Sequence, residues 1–226
     1  SSKDLLNVIP KISEIYSEPF ADSSQIPTFI LSQYTSKSVK VALSGDGGDE
    51  LFGGYNRYKY ASNFYKTGHK LPRSIKAFIK TTLKFIASQN YSIFKNKKFT
   101  FGIPEFNNKI EKVSNLLGAT SRSEIYRILT SYTTTPNIFL NEANEKDTLF
   151  NSSEFLLENH SFERYMQILD FKTYLPDDIL TKVDRASMNV SLETRVPFLE
   201  KIVLEHVKKI NPKYTVNNSN QKIILK

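Results

Sequence analysis

The stretch "VKVALSGDGGDELFGGY", residues 39–55, decides how this chain is read. A short apolar run enters a glycine-rich loop, the order of a buried strand followed by a ligand-binding turn. Gly45, Gly47, Gly48, Gly53 and Gly54 are five of the chain's eight glycines, gathered within ten residues. That density serves tight turns and lets a backbone approach a ligand closely. Such loops ordinarily turn N–H groups toward phosphate, yet this one carries Asp46, Asp49 and Glu50. It is neither GxGxxG nor a P-loop, because no Lys-Ser/Thr pair follows, and it lacks the alternating carboxylates of an EF-hand. A divalent cation reconciles the charges: Mg²⁺ takes one or two protein carboxylates and completes its shell with phosphate oxygens and water. A second carboxylate, free of metal, can serve as general base toward an amine. A solvated acidic turn opening a helix near Asp49 accounts for the same composition.

Outward from the loop, residues 23–37 place Ile26, Phe29, Ile30 and Tyr34 on one helical face, with Ser23 or Ser24 as N-cap. The strand is expected at 39–43. Helical patterns follow near 57–67, 73–88, 104–117, 122–133, 161–175, 177–190 and 198–210. "SRSE" at 121–124 is a capping box, and the polar stretch 141–154 is the best loop candidate. No second V/I-rich run matches the first, so its sheet partners are expected upstream of Ser1, with the chain a piece of a larger α/β protein that is mostly helical over these residues.

The 226 residues carry a net charge of +8 and no cysteine, which excludes disulfides, thiolate metal sites and a cysteine nucleophile. No apolar run reaches a membrane span and no signal peptide is visible, in keeping with a cytoplasmic protein. The positive charge is local: residues 51–104 hold eleven Lys or Arg and no acid. Lys76, Lys80 and Lys84 recur at i, i+4 beside Ile75, Phe78, Ile79 and Phe85, the pattern of an amphipathic helix with a solvated basic side. A basic surface for an acidic partner is the alternative; nucleic-acid signatures are absent.

A second constellation lies at "YLPDDILTKVDRASMNVSLETRVPFLE", 174–200. Asp178 can pair with Lys182 at i, i+4 and with Arg185 two turns on, and Pro197 suits the opening of the next helix. An ordinary salt-bridged helix explains this segment equally well.

Together with "EPFADSSQIPTFILS" and "NQKIILK", these two segments resemble the synthetase domain of glutamine-hydrolysing asparagine synthetases and their β-lactam synthetase relatives. The resemblance implies a partial PP-loop ATPase fold, adenine nucleotide alpha hydrolase-like and Rossmann-like, over 1–226. The PP-loop, the glutaminase domain and the family's catalytic lysine are expected to lie outside these residues. It implies a ligase of asparagine biosynthesis that uses ATP and Mg²⁺ to adenylate the side-chain carboxylate of aspartate. Ammonia from glutamine, supplied by a glutaminase domain of the same polypeptide, then displaces AMP. Carried over, Asp49 becomes the metal ligand, and Asp46 the residue that deprotonates ammonia. Ser44, Gly45, Gly47, Gly48 and Glu50 line the nucleotide or intermediate. Asp22, Ser23, Lys182, Asp184 and Arg185 border the acceptor. Family members that carry an arginine in the "FADSSQIP" segment differ from this chain, which leaves open an amidotransferase paralogue or β-lactam synthetase-like enzyme acting on another carboxylate. A homodimer is also left open, and neither nucleic acid nor membrane is expected as a partner.

Overall fold

A computed structural model describes residues 2–93, 106–131, 149, 160–216 and 221–225. The chain runs through α1 (Ser2–Val8), α2 (Ile12–Tyr16), α3 (Gln25–Thr35), β1 (Val41–Leu43) and α4 (Gly48–Phe52). It continues with α5 (Asn56–Thr67), α6 (Arg73–Ile93), α7 (Phe106–Gly118), α8 (Arg122–Thr130), α9 (Phe162–Lys172) and, beyond a π-helical turn at Leu175–Leu180, α10 (Thr181–Met188). β2 (Glu193–Arg195) and α11 (Lys201–Lys209) follow, and short 3₁₀ turns punctuate the sequence. Two compact units emerge: Ser1–Tyr55 with Glu163–Lys226, and Asn56–Phe162.

The first unit is a helical α/β body around a small parallel sheet. β1 pairs with β2 in the register Val41↔Glu193, Ala42↔Thr194, Leu43↔Arg195. The ladder is extended at both ends, by Glu193 N–H to Lys40 O and by Ser44 N–H to Arg195 O, each 2.9 Å. This corrects the expectation that the partners of β1 all lie upstream. One of them is "ETR", too short and too polar to register as a strand, and its pairing rather than its composition makes it one. Val41 and Leu43 remain exposed, although parallel sheets are ordinarily covered on both faces.

Two apolar clusters hold this sheet in place. Val8, Ile15, Tyr16, Phe29 and Ala186 are buried together, which locks α1, α2 and α3 onto α10. Leu51, Phe52 and Val207 pack with Phe198 and Leu199, which seats α4 on α11. Phe29 joins the core as its helical spacing predicts, with Ile26 and Ile30 against it, whereas Tyr34 is 73% exposed. The N-cap of α3 also departs from expectation. Ser24 occupies the position but its side chain caps nothing; instead Asp22 accepts from the Ser24 N–H and hydroxyl, both at 2.8 Å.

In the second unit α6 packs against α7 and α8 against both α5 and α7. The Ser121 hydroxyl accepts from the Glu124 N–H at 3.1 Å, as a capping box requires. The return bond reaches one residue further than the motif: Glu124 accepts from the Thr120 N–H at 2.7 Å. α6 continues to Ile93, beyond the expected end near 88. Its expected faces are mixed, since Ile79 is half-buried as expected. Ile75, Phe78 and Phe85 are exposed, while Lys76 and Lys80 are half-buried. Most of the polar loop expected at 141–154 lies outside the described residues.

Candidate functional site

β1 delivers the glycine loop to its carboxyl end, where open α/β sheets hold their ligands. The Ser44 N–H is spent on β2. Its hydroxyl donates to Asp46 Oδ2 at 2.8 Å, and the other Asp46 oxygen has no protein hydrogen bond among the described residues. Gly48 N–H to Gly45 O closes the turn and Leu51 N–H to Gly47 O opens α4. Asp49 and Glu50 therefore lie in the first turn of a short helix, where negative charge is favourable.

Gly47 is fixed twice over. Its φ is +79°, and a Cβ there would lie 2.6 Å from Leu199 Cδ2 of the "RVPFL" segment. Gly47→Ala is expected to cost about 1–3 kcal/mol, read as a lowered urea midpoint with an unchanged m-value. The two sequence motifs are thus one structure, since Phe198 and Leu199 support the loop from beneath while Arg195 holds its entrance.

The two remaining carboxylates part company. Glu50 is 2% exposed and accepts from the Tyr55 hydroxyl at 2.7 Å. Burial pushes its carboxyl up, and the Tyr55 hydrogen bond offsets part of that rise. Tyr55 is itself driven upward by burial and by that same bond, so the pair is a buried support under α4. Asp49 stays half-exposed and meets the Lys222 ammonium at 2.8 Å. A Cβ on Gly54 would push the Asp49 carboxylate and Lys222 out of their present positions. Gly54 thus leaves room for a cation at Asp49. Lys222 escaped the sequence reading of individual residues: it comes from the "NQKIILK" segment, 173 positions beyond Asp49, and no local pattern announces the pairing.

A second cluster assembles Asp22, Ser24 and Lys182. Lys182, buried on α10, donates to Asp22 Oδ2 and, at 2.7 Å, to the Ser24 hydroxyl. Tyr16 donates its hydroxyl to the Lys182 carbonyl at 3.2 Å. Burial raises the Asp22 carboxyl, but the hydrogen bonds from Lys182 and Ser24 and the Lys182 charge outweigh it and leave the group below its ordinary value. Asp178 goes the other way: burial raises it first and the neighbouring Asp22 charge adds to the rise, against a smaller opposing pull from Lys182 and Tyr174. Tyr16 is pushed up to about 12 by burial and by these two carboxylates.

Of the residues expected near an acceptor, Asp22 and Lys182 come together. Ser23 is exposed, as are Asp184 and Arg185 on α10. Neither expected pairing of Asp178 forms. The π-helical turn breaks the i, i+4 register ahead of α10, and Lys182 is carried to Asp22 instead. Wide turns of this kind recur at functional sites. Among the described residues no group of three or more His, Cys, Asp or Glu could cage a metal ion, and no helix is long and apolar enough to cross a membrane.

The family model described as asparagine synthase matches residues 1–226. A Bacillus subtilis (strain 168) protein named asparagine synthetase (glutamine-hydrolysing) 1 is 30% identical over 226 residues, 100% of this chain and 33% of the relative. A Mycobacterium tuberculosis (strain H37Rv) protein, named provisionally as a glutamine-hydrolysing asparagine synthetase, is 28% identical over 204 residues, 88% of this chain and 28% of the relative. A similarly named Methanocaldococcus jannaschii protein is 45% identical over 76 residues, 33% of this chain and 14% of its own length. The chain thus spans about a third or less of the curated relatives it matches. No solved structure matches it.

Proposed function

The chain belongs to the asparagine synthase family, and from that premise we propose that it supplies one wall of an ATP-dependent, amide-forming active site with a PP-loop-type fold. The whole protein would adenylate the side-chain carboxylate of aspartate, releasing pyrophosphate. Ammonia delivered from glutamine by a glutaminase domain of the same polypeptide would then attack the acyl-adenylate carbonyl. The new C–N bond forms as the bond to AMP breaks, and one ammonia proton leaves to a base. A cytoplasmic location and a homodimer accord with this reading.

The observation that carries it is the division of labour among the loop carboxylates. Asp49 is the one held against a cation, Asp46 the one with an oxygen that accepts no hydrogen bond among the described residues, and Glu50 the one buried as support. A single half-exposed carboxylate suits Mg²⁺ that arrives with phosphates, and the ammonium on Asp49 indicates that positive charge is accommodated there. Bound Mg²⁺ would neutralise phosphate charge during adenylation. Asp46 would take the ammonia proton on the oxygen that Ser44 leaves open, with Ser44 fixing the carboxylate through the other. Ser44, Gly45, Gly47 and Gly48 form the backbone wall, and Asp22 with Lys182 sets the charge of the acceptor side.

The test uses the full-length protein that contains this chain, given Mg²⁺-ATP, aspartate and ammonia, with AMP, pyrophosphate and asparagine measured together. All three products are expected in equal amounts. AMP and pyrophosphate formed only with a different carboxylate would keep the ligase and replace the acceptor. That second reading is favoured by one observation: the "FADSSQIP" segment presents Asp22 bound to Lys182, where some asparagine synthetases carry an arginine suited to an anionic acceptor or to pyrophosphate. Release of ADP and phosphate in place of AMP and pyrophosphate would refute adenylation.

A further inference from the structure

The ammonium that meets Asp49 is delivered by a strap anchored next to α4. Thr215 and Val216 are buried and press on the residue that ends this helix: a Cβ on Gly53 would lie 3.0 Å from Val216 Cβ and 3.4 Å from the Thr215 carbonyl carbon. Gln167, buried on α9, ties the two together by donating to the Leu51 carbonyl and to the Thr215 hydroxyl, both at 3.4 Å. The chain returns through an antiparallel bridge, Val216↔Gln221, and the Ile223 N–H donates to Thr215 O at 3.3 Å. Lys222 stands between these two contacts. Beyond it, Ile224 and Leu225 are exposed, so no apolar burial fixes that end of the strap.

Lys222 has φ +49°. A side chain makes the left-handed region unfavourable, and a residue stays there only where its surroundings impose it. The result here is aim. The lysine stem crosses Gly54, where a Cβ would lie 2.3 Å from Lys222 Cε, and Nζ reaches Asp49 Oδ1 at 2.8 Å. The pair is no buried brace: its side chains are 38% and 39% exposed, so it adds little to stability, and the ammonium has open solvent to move into. A strained backbone that serves so weak a brace directs attention to the contact itself.

We propose that Lys222 is the resident counter-ion of Asp49, a positioning residue that holds the carboxylate in place and that the metal must displace. The proposal rests on the reading of Asp49 as a metal ligand. An ammonium and a divalent cation on one carboxylate repel each other, so each weakens the binding of the other. A bare Mg²⁺ ion, reluctant to shed water, gains little from a single carboxylate already paired. Mg²⁺ that arrives with phosphate oxygens is held by both, and Lys222 thereby reserves Asp49 for the metal–nucleotide complex.

The probe is α,β-methylene-ATP, which cannot release pyrophosphate, titrated calorimetrically into the full-length protein with Mg²⁺ and with EDTA. Lys222→Gln is expected to bind the Mg²⁺ form about two- to fivefold more tightly than the parent, the factor that matches an exposed ion pair no longer displaced. The EDTA form should bind no more tightly. Lys222→Arg restores the charge and should return the parent value. Lys222→Asn should repeat the gain, and serves if Lys222→Gln melts early, because asparagine tolerates a positive φ. In an Asp49→Ala background Lys222→Gln should produce no gain. A Mg²⁺ form bound no more tightly by either neutral variant than by the parent would overturn the proposal, and weaker binding of both forms would make Lys222 a phosphate contact instead. A gain that persists without Asp49 would overturn it as well. These failures leave the metal reading standing, whereas a parent-like Mg²⁺ dependence in Asp49→Ala would overturn that reading and the proposal with it.

Discussion

Asp49→Ala in the full-length protein is expected to lower the rate of AMP and pyrophosphate formation about 10²–10³-fold while leaving the fold intact. The magnitude is that of removing one group that stabilises developing charge in a preorganised site. The fold should survive because, among the described residues, the one side chain that pairs with this carboxylate is Lys222, in a pair about 40% exposed on each side, and exposed pairs contribute at most about 1 kcal/mol. The decisive readout is binding. Nucleotide affinity measured with and without Mg²⁺ should differ in the parent protein and coincide in Asp49→Ala, because the variant loses the metal-dependent part alone. Lys222→Gln separates metal binding from simple charge: it removes the cation that faces Asp49 but keeps the carboxylate, so the Mg²⁺ dependence should persist. A parent-like Mg²⁺ dependence in Asp49→Ala would remove Asp49 from the proposed metal site.

How much of this was legible in the sequence follows from the range of the interactions involved. α3, α5 and α11 announce themselves because helical periodicity is local, and the glycine loop does so because backbone freedom is encoded residue by residue. β2 does not. Glu193, Thr194 and Arg195 carry little strand character and become a strand because Val41–Leu43 supplies the ladder. The exposed Phe78 and half-buried Lys80 of α6 are a related failure. The spacing gave the helix, but which of its residues turn inward depends on α7, which begins 26 residues beyond Lys80. At the site, the three carboxylates could be picked out from the loop, yet their different surroundings emerge only through Ser44, Lys222 and Tyr55. The residues proposed for the acceptor side show the same division. Asp22 and Lys182 were nameable as candidates, but their direct contact spans 160 positions, and the π-helical turn that steers Lys182 from Asp178 to Asp22 has no signature in "LPDDIL".

That contact carries the largest expected effect on stability. Lys182→Met keeps the length of the side chain but leaves Asp22 and Asp178 facing each other without a counter-charge. Removing one partner of a fully buried ion pair costs about 3–5 kcal/mol; the Asp22 side chain retains 19% exposure, so about 2–3 kcal/mol is expected near neutral pH. The pH dependence identifies the cause. In the parent chain the Asp22 carboxyl is held below its ordinary value, so its contribution is present above the unfolded carboxylate range and is lost as pH falls through the lower, folded value. In the variant the lowering influence of Lys182 is gone from both carboxyls: burial and the Asp22 charge are left to push Asp178 upward, while on Asp22 burial is opposed only by the two Ser24 hydrogen bonds. A carboxyl raised in the folded state takes up a proton on folding, so the variant should gain stability as the solution is acidified through that range. The difference between parent and Lys182→Met, measured by urea unfolding across the acid limb, should therefore narrow as pH falls from neutral toward the carboxylate range. A difference that stays constant over that interval would assign the loss to packing of the lysine stem, and Lys182 would then be a structural residue of α10 with no electrostatic claim on the acceptor side.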